Sequence, residues 1–238
     1  VEGLKVPDKK TKAALQKLDG RLTAYLKDFV RAEVIDIPNQ HYNLLKFSDG
    51  FQCYSNTAKI ETELQYKEIF ADREYFQYGV TIKDNGVVFD VGANIGMFVM
   101  FLNKNTSNVK MYAFEPIPDT FKTLQANMKL HDIKNVHLYN IALGAENKKR
   151  VTFTHYLNMT ANTTLFPESK DFQKKREVLK GIKSCHWPII KHMVIEVHNA
   201  TKKLPEIKAI LKHKNIDMCV EQGNTGPMDN CNVYCTVR

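Results

Sequence analysis

Short runs of β-branched and aromatic residues alternate with longer stretches of 3.6-residue periodicity through the middle of this chain. That alternation predicts its architecture. Val87 to Val91 is apolar except for Asp90 and predicts a buried strand, after which Gly92 and Gly96 turn the chain into the apolar run Met97 to Leu102, a helix start. Lys110 to Phe114 predicts a second strand ending in Glu115-Pro116. Pro118-Asp119 opens a helix through Leu130, and Val136 to Leu143 predicts a third strand closed by Gly144. Strands separated by helices of this length imply a parallel α/β sheet.

The flanks carry different patterns. Ala14, Leu15, Leu18, Leu22, Leu26, Phe29 and Val30 recur at helical spacing between Lys and Arg, predicting one long amphipathic helix from Lys9 to Glu33. Gly20 weakens that helix by about 1 kcal/mol relative to alanine. Between Val34 and Phe51, Pro38, Asn39 and Asp49-Gly50 are turn signals and predict a hairpin. Thr57 is the expected cap of a helix carrying Glu61, Glu63, Leu64, Tyr66, Ile69 and Phe70 towards Tyr75 and Tyr78. Near the end, His192 to His198 predicts a strand, Leu204, Ile207, Ile210 and Leu211 a helix, and Ile216 to Val220 with Asn232 to Val237 a closing antiparallel pair. Residues 1–50 are expected to form a helical extension and residues 51–238 one catalytic-type domain.

The strand, glycine turn and helix at Val87 to Phe98 form the chemical centre of this reading. Such a turn aims backbone N–H groups at a ligand and lets the ligand approach the main chain. Glu115, at the end of the second strand, is spaced to accept hydrogen bonds from ribose hydroxyls. A dinucleotide fingerprint requires glycine where this chain has Asn94 and Met97, so a pyrophosphate has no seat. A Walker loop is excluded because no Gly-Lys-Ser/Thr follows. A ligand with adenosine and no phosphate fits better, and S-adenosyl-L-methionine (SAM) is the common one.

Phe89-Asp-Val-Gly-Ala-Asn-Ile-Gly-Met-Phe98, Ala113-Phe-Glu-Pro116 and Asn140-Ile-Ala-Leu-Gly144 resemble the first three motifs of the FkbM family of SAM-dependent methyltransferases. Glu61-Thr-Glu-Leu-Gln-Tyr-Lys-Glu-Ile-Phe70 and Ile195-Glu-Val-His198 resemble the O-methyltransferase domains embedded in polyketide and nonribosomal peptide synthases. The resemblance implies a Rossmann-like SAM-methyltransferase sheet. It also implies that Gly92, Asn94 and Gly96 line the methionine end of the cofactor, with Asp90 ordering the loop or reaching the amino end. Glu115 would hold the ribose, and Asn140 to Ala142 would border the adenine. Asn158-Met-Thr-Ala-Asn-Thr-Thr164 resembles the polar loop over the active site, which puts Asn162 on the substrate side.

One family strand is missing from the sequence. Between the polar loop and Arg176-Glu-Val-Leu-Lys-Gly-Ile182, the family has an acidic, apolar strand that sits beside the first strand at the centre of the sheet; here Phe172-Gln-Lys-Lys175 runs directly into Arg176. An empty central position would expose backbone groups and apolar faces on both neighbours. Val1 is not an initiator methionine, and a domain cut from a larger enzyme is the expectation.

His198, at a strand's carboxyl end, and Glu196 are the candidate catalytic residues, with the imidazole able to take a hydroxyl proton. Tyr66 and Glu221 join Asn162 as substrate-side candidates. The expected reaction is O-methylation of a small-molecule or carrier-bound hydroxyl. The rivals are an RNA or protein methyltransferase and a truncated, non-catalytic SAM-binding module.

Composition adjusts this picture slightly. The 34 Lys and Arg outnumber the 26 Asp and Glu, for a formal charge of +8, which favours an anionic partner such as an acidic carrier protein. The absence of an Asn/Asp-Pro-Pro-Tyr/Phe sequence argues against base-amine methylation of nucleic acid. Five cysteines without a Cys-x-x-Cys pair read as reduced thiols. Cys231 and Cys235 with Cys185-His186 have poor zinc spacing, so no metal is expected. No apolar run reaches the roughly 18 residues of a membrane span, and a cytoplasmic protein is expected.

Overall fold

The computed structural model describes residues 31–146, 177–198, 200–222 and 230–236, without the side chains of His198, Glu221, Gln222 and Asn230. Most of the predicted Lys9 to Glu33 helix, the polar loop with Asn162 and the junction of Lys175 with Arg176 lie outside the described residues. Glu33, the expected end of that helix, is instead in a strand.

That strand, β1 (Ala32–Ile35), pairs antiparallel with β2 (Asn43–Phe47), which pairs with β3 (Gln52–Ser55). The predicted hairpin closes at Asp49-Gly50: Gly50 is left-handed at φ 89°, and its N–H donates to Phe47 O at 3.0 Å. Helix α1 (Lys59–Tyr66) starts one residue later than the Thr57 cap predicts, with Ala58 at the cap. The Thr57 hydroxyl is used elsewhere, 3.2 Å from both Ser55 Oγ and Thr62 Oγ1. The chain continues through a π-helical turn (Lys67–Ala71) and a 3-10 turn (Glu74–Phe76).

The parallel sheet follows in the predicted order. Strands β4 (Val87–Val91), β5 (Lys110–Phe114) and β6 (Val136–Tyr139) lie side by side, connected by α2 (Met97–Asn105) and α3 (Pro118–Leu130). Strand β6 stops at Tyr139, short of Leu143, because the Asn140 side chain takes over the ladder and donates to Glu115 O at 2.8 Å. Val99 and Leu102 of α2, Leu124 of α3 and Ala113 of β5 are fully buried. Burying each Val or Leu is worth about 1.5–3 kcal/mol.

A second sheet is built from β7 (His192–His198), β8 (Asp217–Gln222) and β9 (Asn230–Thr236) in the order β7-β9-β8, all antiparallel. Helix α4 (Ala200–His213) covers it through Ile207 and Leu211. Cys231 and Cys235 are buried on β9 and Cys185 is exposed, so the three are not gathered as ligands.

Among the described residues β4 pairs only with β5 and β7 only with β9. One face of the parallel sheet is also left uncovered by the described residues. Val87, Phe89 and Val91 are 59%, 63% and 45% exposed, on the face opposite Val88, which packs into the core. The Phe89, Tyr112 and His137 rings stack in a row across that face. The architecture is α/β and Rossmann-like, with the position beside its first strand unfilled by any described strand.

Candidate functional site

The loop after β4 is held by β5. Gly92 and Ala93 both donate to Phe114 O, at 2.9 and 3.0 Å. Gly92 at φ 87°, Asn94 at φ 50° and Gly96 at φ 88° fold the segment into a tight left-handed path before α2 begins. The two glycines serve different purposes. A Cβ at Gly96 would lie 2.5 Å from Leu124 Cδ1 and 2.9 Å from Met128 Cε, so this glycine lets α2 approach α3. A Cβ at Gly92 would meet nothing within 4 Å among the described residues, so this glycine opens onto space at the strand end that they leave free.

Glu115 is 6% exposed and clasps two backbone donors, Asn94 N–H at 3.0 Å through Oε2 and Ile117 N–H at 2.8 Å through Oε1. A carboxylate has about four acceptor positions, so this arrangement is compatible with further donors such as ribose hydroxyls. Asn127 ties the loop to the N-terminal sheet. It is fully buried, accepts from Tyr54 N–H at 2.6 Å and donates to Tyr54 O at 2.9 Å and to Ile95 O at 2.8 Å.

Among the described residues, two buried oxygens at this loop have no hydrogen-bond partner: Asp90 Oδ2 and Asn94 Oδ1. Burial, and then the nearby Glu115 carboxylate, push Asp90 up to about 7. Orphaned buried acceptors are costly, and a ligand that brings donors relieves them.

Of the other predicted residues, Asn140 and Ala142 lie exposed beyond β6, and Asn140 donates to Glu115 O. Glu196 lies in β7, and His198 is that strand's last residue. Glu221 is in β8, and its Cα register partner on β9 is Asn232, which also faces Glu196 on β7. Tyr66, a substrate-side candidate, lies in an aromatic cluster. It is 4% exposed, stacks on Phe47 and Phe70, and donates its hydroxyl to Asp49 Oδ2. Its helical spacing was that of an aromatic core position.

The structure adds residues that the sequence reading passed over. The Glu196 carboxylate raises the proton affinity of Glu68, Glu74 and Tyr75, and Glu74 adds to the effect on Glu68 and Tyr75. Burial and then Glu196 push Glu68 well above the carboxylate range, and burial with Asp72 pushes Glu74 up to about 7. Burial, then Glu196, Glu68 and Asp90, also raise Tyr75, which connects this group to the glycine loop. Glu68 lies inside the Glu61 to Phe70 motif, which was the available signal; Glu74 had none. A groove lined by Lys208, Lys212, Ile216 and Met218 contains none of these residues.

No protein-family model matches the chain. Methyltransferase 1 of Beauveria bassiana (strain ARSEF 2860) is 27% identical over 235 residues, covering 78% of this chain and 93% of that protein. The 31-O-demethyl-FK506 methyltransferase FkbM of Streptomyces tacrolimicus is 28% identical over 222 residues, covering 68% and 84%. Among solved structures, M. jannaschii TYW2 in complex with AdoMet aligns over 84% of this chain and 88% of its own at 17% identity, with a TM-score of 0.48. Both curated relatives are methyltransferases, so the chain is similar to methyltransferases, FkbM among them, and that similarity supports methyl transfer as its class of chemistry.

Proposed function

We propose that the chain is a SAM-dependent O-methyltransferase acting on a hydroxyl of a small molecule. The observation that carries the cofactor reading is the pair of buried, unpartnered acceptors, Asp90 Oδ2 and Asn94 Oδ1, beside the open turn at Gly92. The methionine end of SAM carries an ammonium donor suited to both. Glu115 would accept the ribose hydroxyls while holding the loop through Asn94 and Ile117, and Asn140 and Ala142 would border the adenine. When bound, SAM supplies an electrophilic methyl group.

The chain's own work is to orient the acceptor oxygen and remove its proton. Holding an oxygen in line with a reacting group saves about 7–11 kcal/mol relative to free encounter. His198, at the carboxyl end of β7, is the proposed proton acceptor through a neutral imidazole nitrogen, with Glu196 two residues earlier on the same strand. The hydroxyl specificity is supported by the Streptomyces relative, a 31-O-demethyl-FK506 methyltransferase.

Titration calorimetry tests the cofactor. SAM binding to the wild type, weakened about tenfold or more in Glu115→Ala, is expected. Absence of binding, or equal affinity in the variant, overturns the reading. Transfer of labelled methyl to nitrogen or carbon acceptors in preference to hydroxyls would overturn the O-methyl assignment.

A further inference from the structure

Strand β8 is an edge. Among the described residues it pairs with β9 alone, so no strand lies along its other side. Such edges are commonly blocked by lysine, proline or a bulge. The Asp-Met-Cys-Val-Glu-Gln sequence of β8 has no lysine or proline, and its ladder with β9 runs from Asp217 to Gln222 without a bulge. Its outward backbone groups are therefore open to another strand.

A groove of about 620 Å³ lies on this outer side, lined by α4, the turn after it and β8. Its floor is apolar. Ile216 is 6% exposed in the core under α4, and Met218 and Val220, which share its face by the strand period, pack half-buried against that core. Its wall is basic. Lys208 and Lys212 of α4 are exposed and form no ion pair among the described residues. Asn215 and Asp217 complete the lining at the turn.

The spacing of the two lysines suits a strand. Four residues of helix advance about 6 Å, and alternate residues of a strand, which share a face, are about 6.8 Å apart. Only residues 214–216 separate α4 from β8, so the strand runs back along the helix. An added strand with glutamate at alternate positions would lay its methylene stems over Met218 and Val220 and bring its carboxylates to Lys208 and Lys212. A second copy of this chain suits the edge less well. Antiparallel pairing of two β8 edges puts both α4 helices on the same face and sets four lysines against one another, in a chain already at +8.

We infer that the β8 edge binds an extended acidic segment of a partner protein, which adds as a further strand with carboxylates at alternate positions facing Lys208 and Lys212. The surface contains none of the residues proposed to hold SAM, so it stands apart from the proposed methyl transfer.

The test is fluorescence anisotropy of the full chain with a labelled Thr-Glu-Thr-Glu-Thr-Glu peptide, against the same peptide with glutamine for glutamate. The acidic peptide is expected to bind about fivefold more tightly or better, and the double variant Lys208→Gln, Lys212→Gln to lose about that factor, as for two exposed ion pairs. SAM affinity in the double variant should stay within about twofold of wild type. Two further acidic peptides carry N-methyl groups on the glutamates or on the threonines. The N–H groups of the two sets point to opposite sides of a strand, so one peptide should lose about tenfold and the other bind nearly as well as the parent. Equal binding of these two peptides overturns the inference, because charge attraction alone does not tell them apart. Equal binding of the glutamate and glutamine peptides, or of neither, also overturns it. A single-stranded oligouridylate that binds as tightly and weakens equally in the double variant would give the lysines to nucleic acid instead. A dimer of the free chain that the double variant tightens in sedimentation would give the edge to a second copy, and either result overturns the proposal.

Discussion

Glu115 Oε2 accepts the backbone N–H of Asn94 at 3.0 Å, so the end of the second parallel strand holds the loop that leaves the first. Ile117 N–H donates to the other carboxylate oxygen at 2.8 Å. One side chain therefore fixes the loop and the entry to α3 together. In Glu115→Ala both donors lose their acceptor, at about 1–3 kcal/mol each if they stay buried. The expected outcome is a lower melting temperature by calorimetry together with the weakened SAM binding. Glu115→Gln, which keeps one acceptor oxygen, should recover part of both. Unchanged stability in the alanine variant would mean that the loop holds its shape without the clasp.

Gly92 and Gly96 share a left-handed conformation and differ in what surrounds them. Gly96→Ala adds backbone strain and drives a methyl into Leu124 and Met128, for a total loss of about 2–4 kcal/mol in urea unfolding. Gly92→Ala adds the strain alone, about 1 kcal/mol, because nothing lies within 4 Å of the added carbon. Its methyl enters the open space at the strand end, so its SAM affinity should fall by more than its stability accounts for. Equal stability losses in the two variants would contradict the packing difference.

Asp90 links stability to pH. Its carboxyl, ordinarily near 3.8, is pushed up to about 7 by burial and by Glu115. The folded chain therefore retains a proton between about pH 4 and pH 7 that the unfolded chain has released. This contribution to stability is fully present below the ordinary value, declines as pH rises and is gone above about 7. Asp90→Asn removes the titration. Its stability relative to wild type should therefore rise from pH 4 to pH 8 in denaturant melts, and a constant difference would exclude the linkage.

Asn127 makes three hydrogen bonds in one buried position, two to Tyr54 and one to Ile95 O. Asn127→Ala strands those backbone groups and should cost about 2–4 kcal/mol, read as a shift in urea midpoint. Asn127→Asp keeps the bond from Tyr54 N–H and turns an acceptor towards two carbonyls, so it should recover little. A small loss in the alanine variant would mean that water replaces the side chain.

The residues that carry their own local signal were legible in the sequence. A five-residue apolar run, a glycine turn and helical periodicity predicted β4, α2, β5 and α3 because burial of one face or stripe imposes those periods on the chain. Glu115 was legible by its spacing from the loop. Tertiary structure decided what side chains do once distant segments meet. It put Tyr66 into an aromatic core, gave Gly96 to helix packing and Gly92 to open space, and ended β6 early through Asn140. It also brought Glu68, Glu74, Glu196 and Asn232 together from segments far apart in the chain. Secondary-structure periods are local and survive in one dimension. The convergence of carboxylates depends on how a turn docks against a strand more than 150 residues later, which Glu74 and Asn232 show directly.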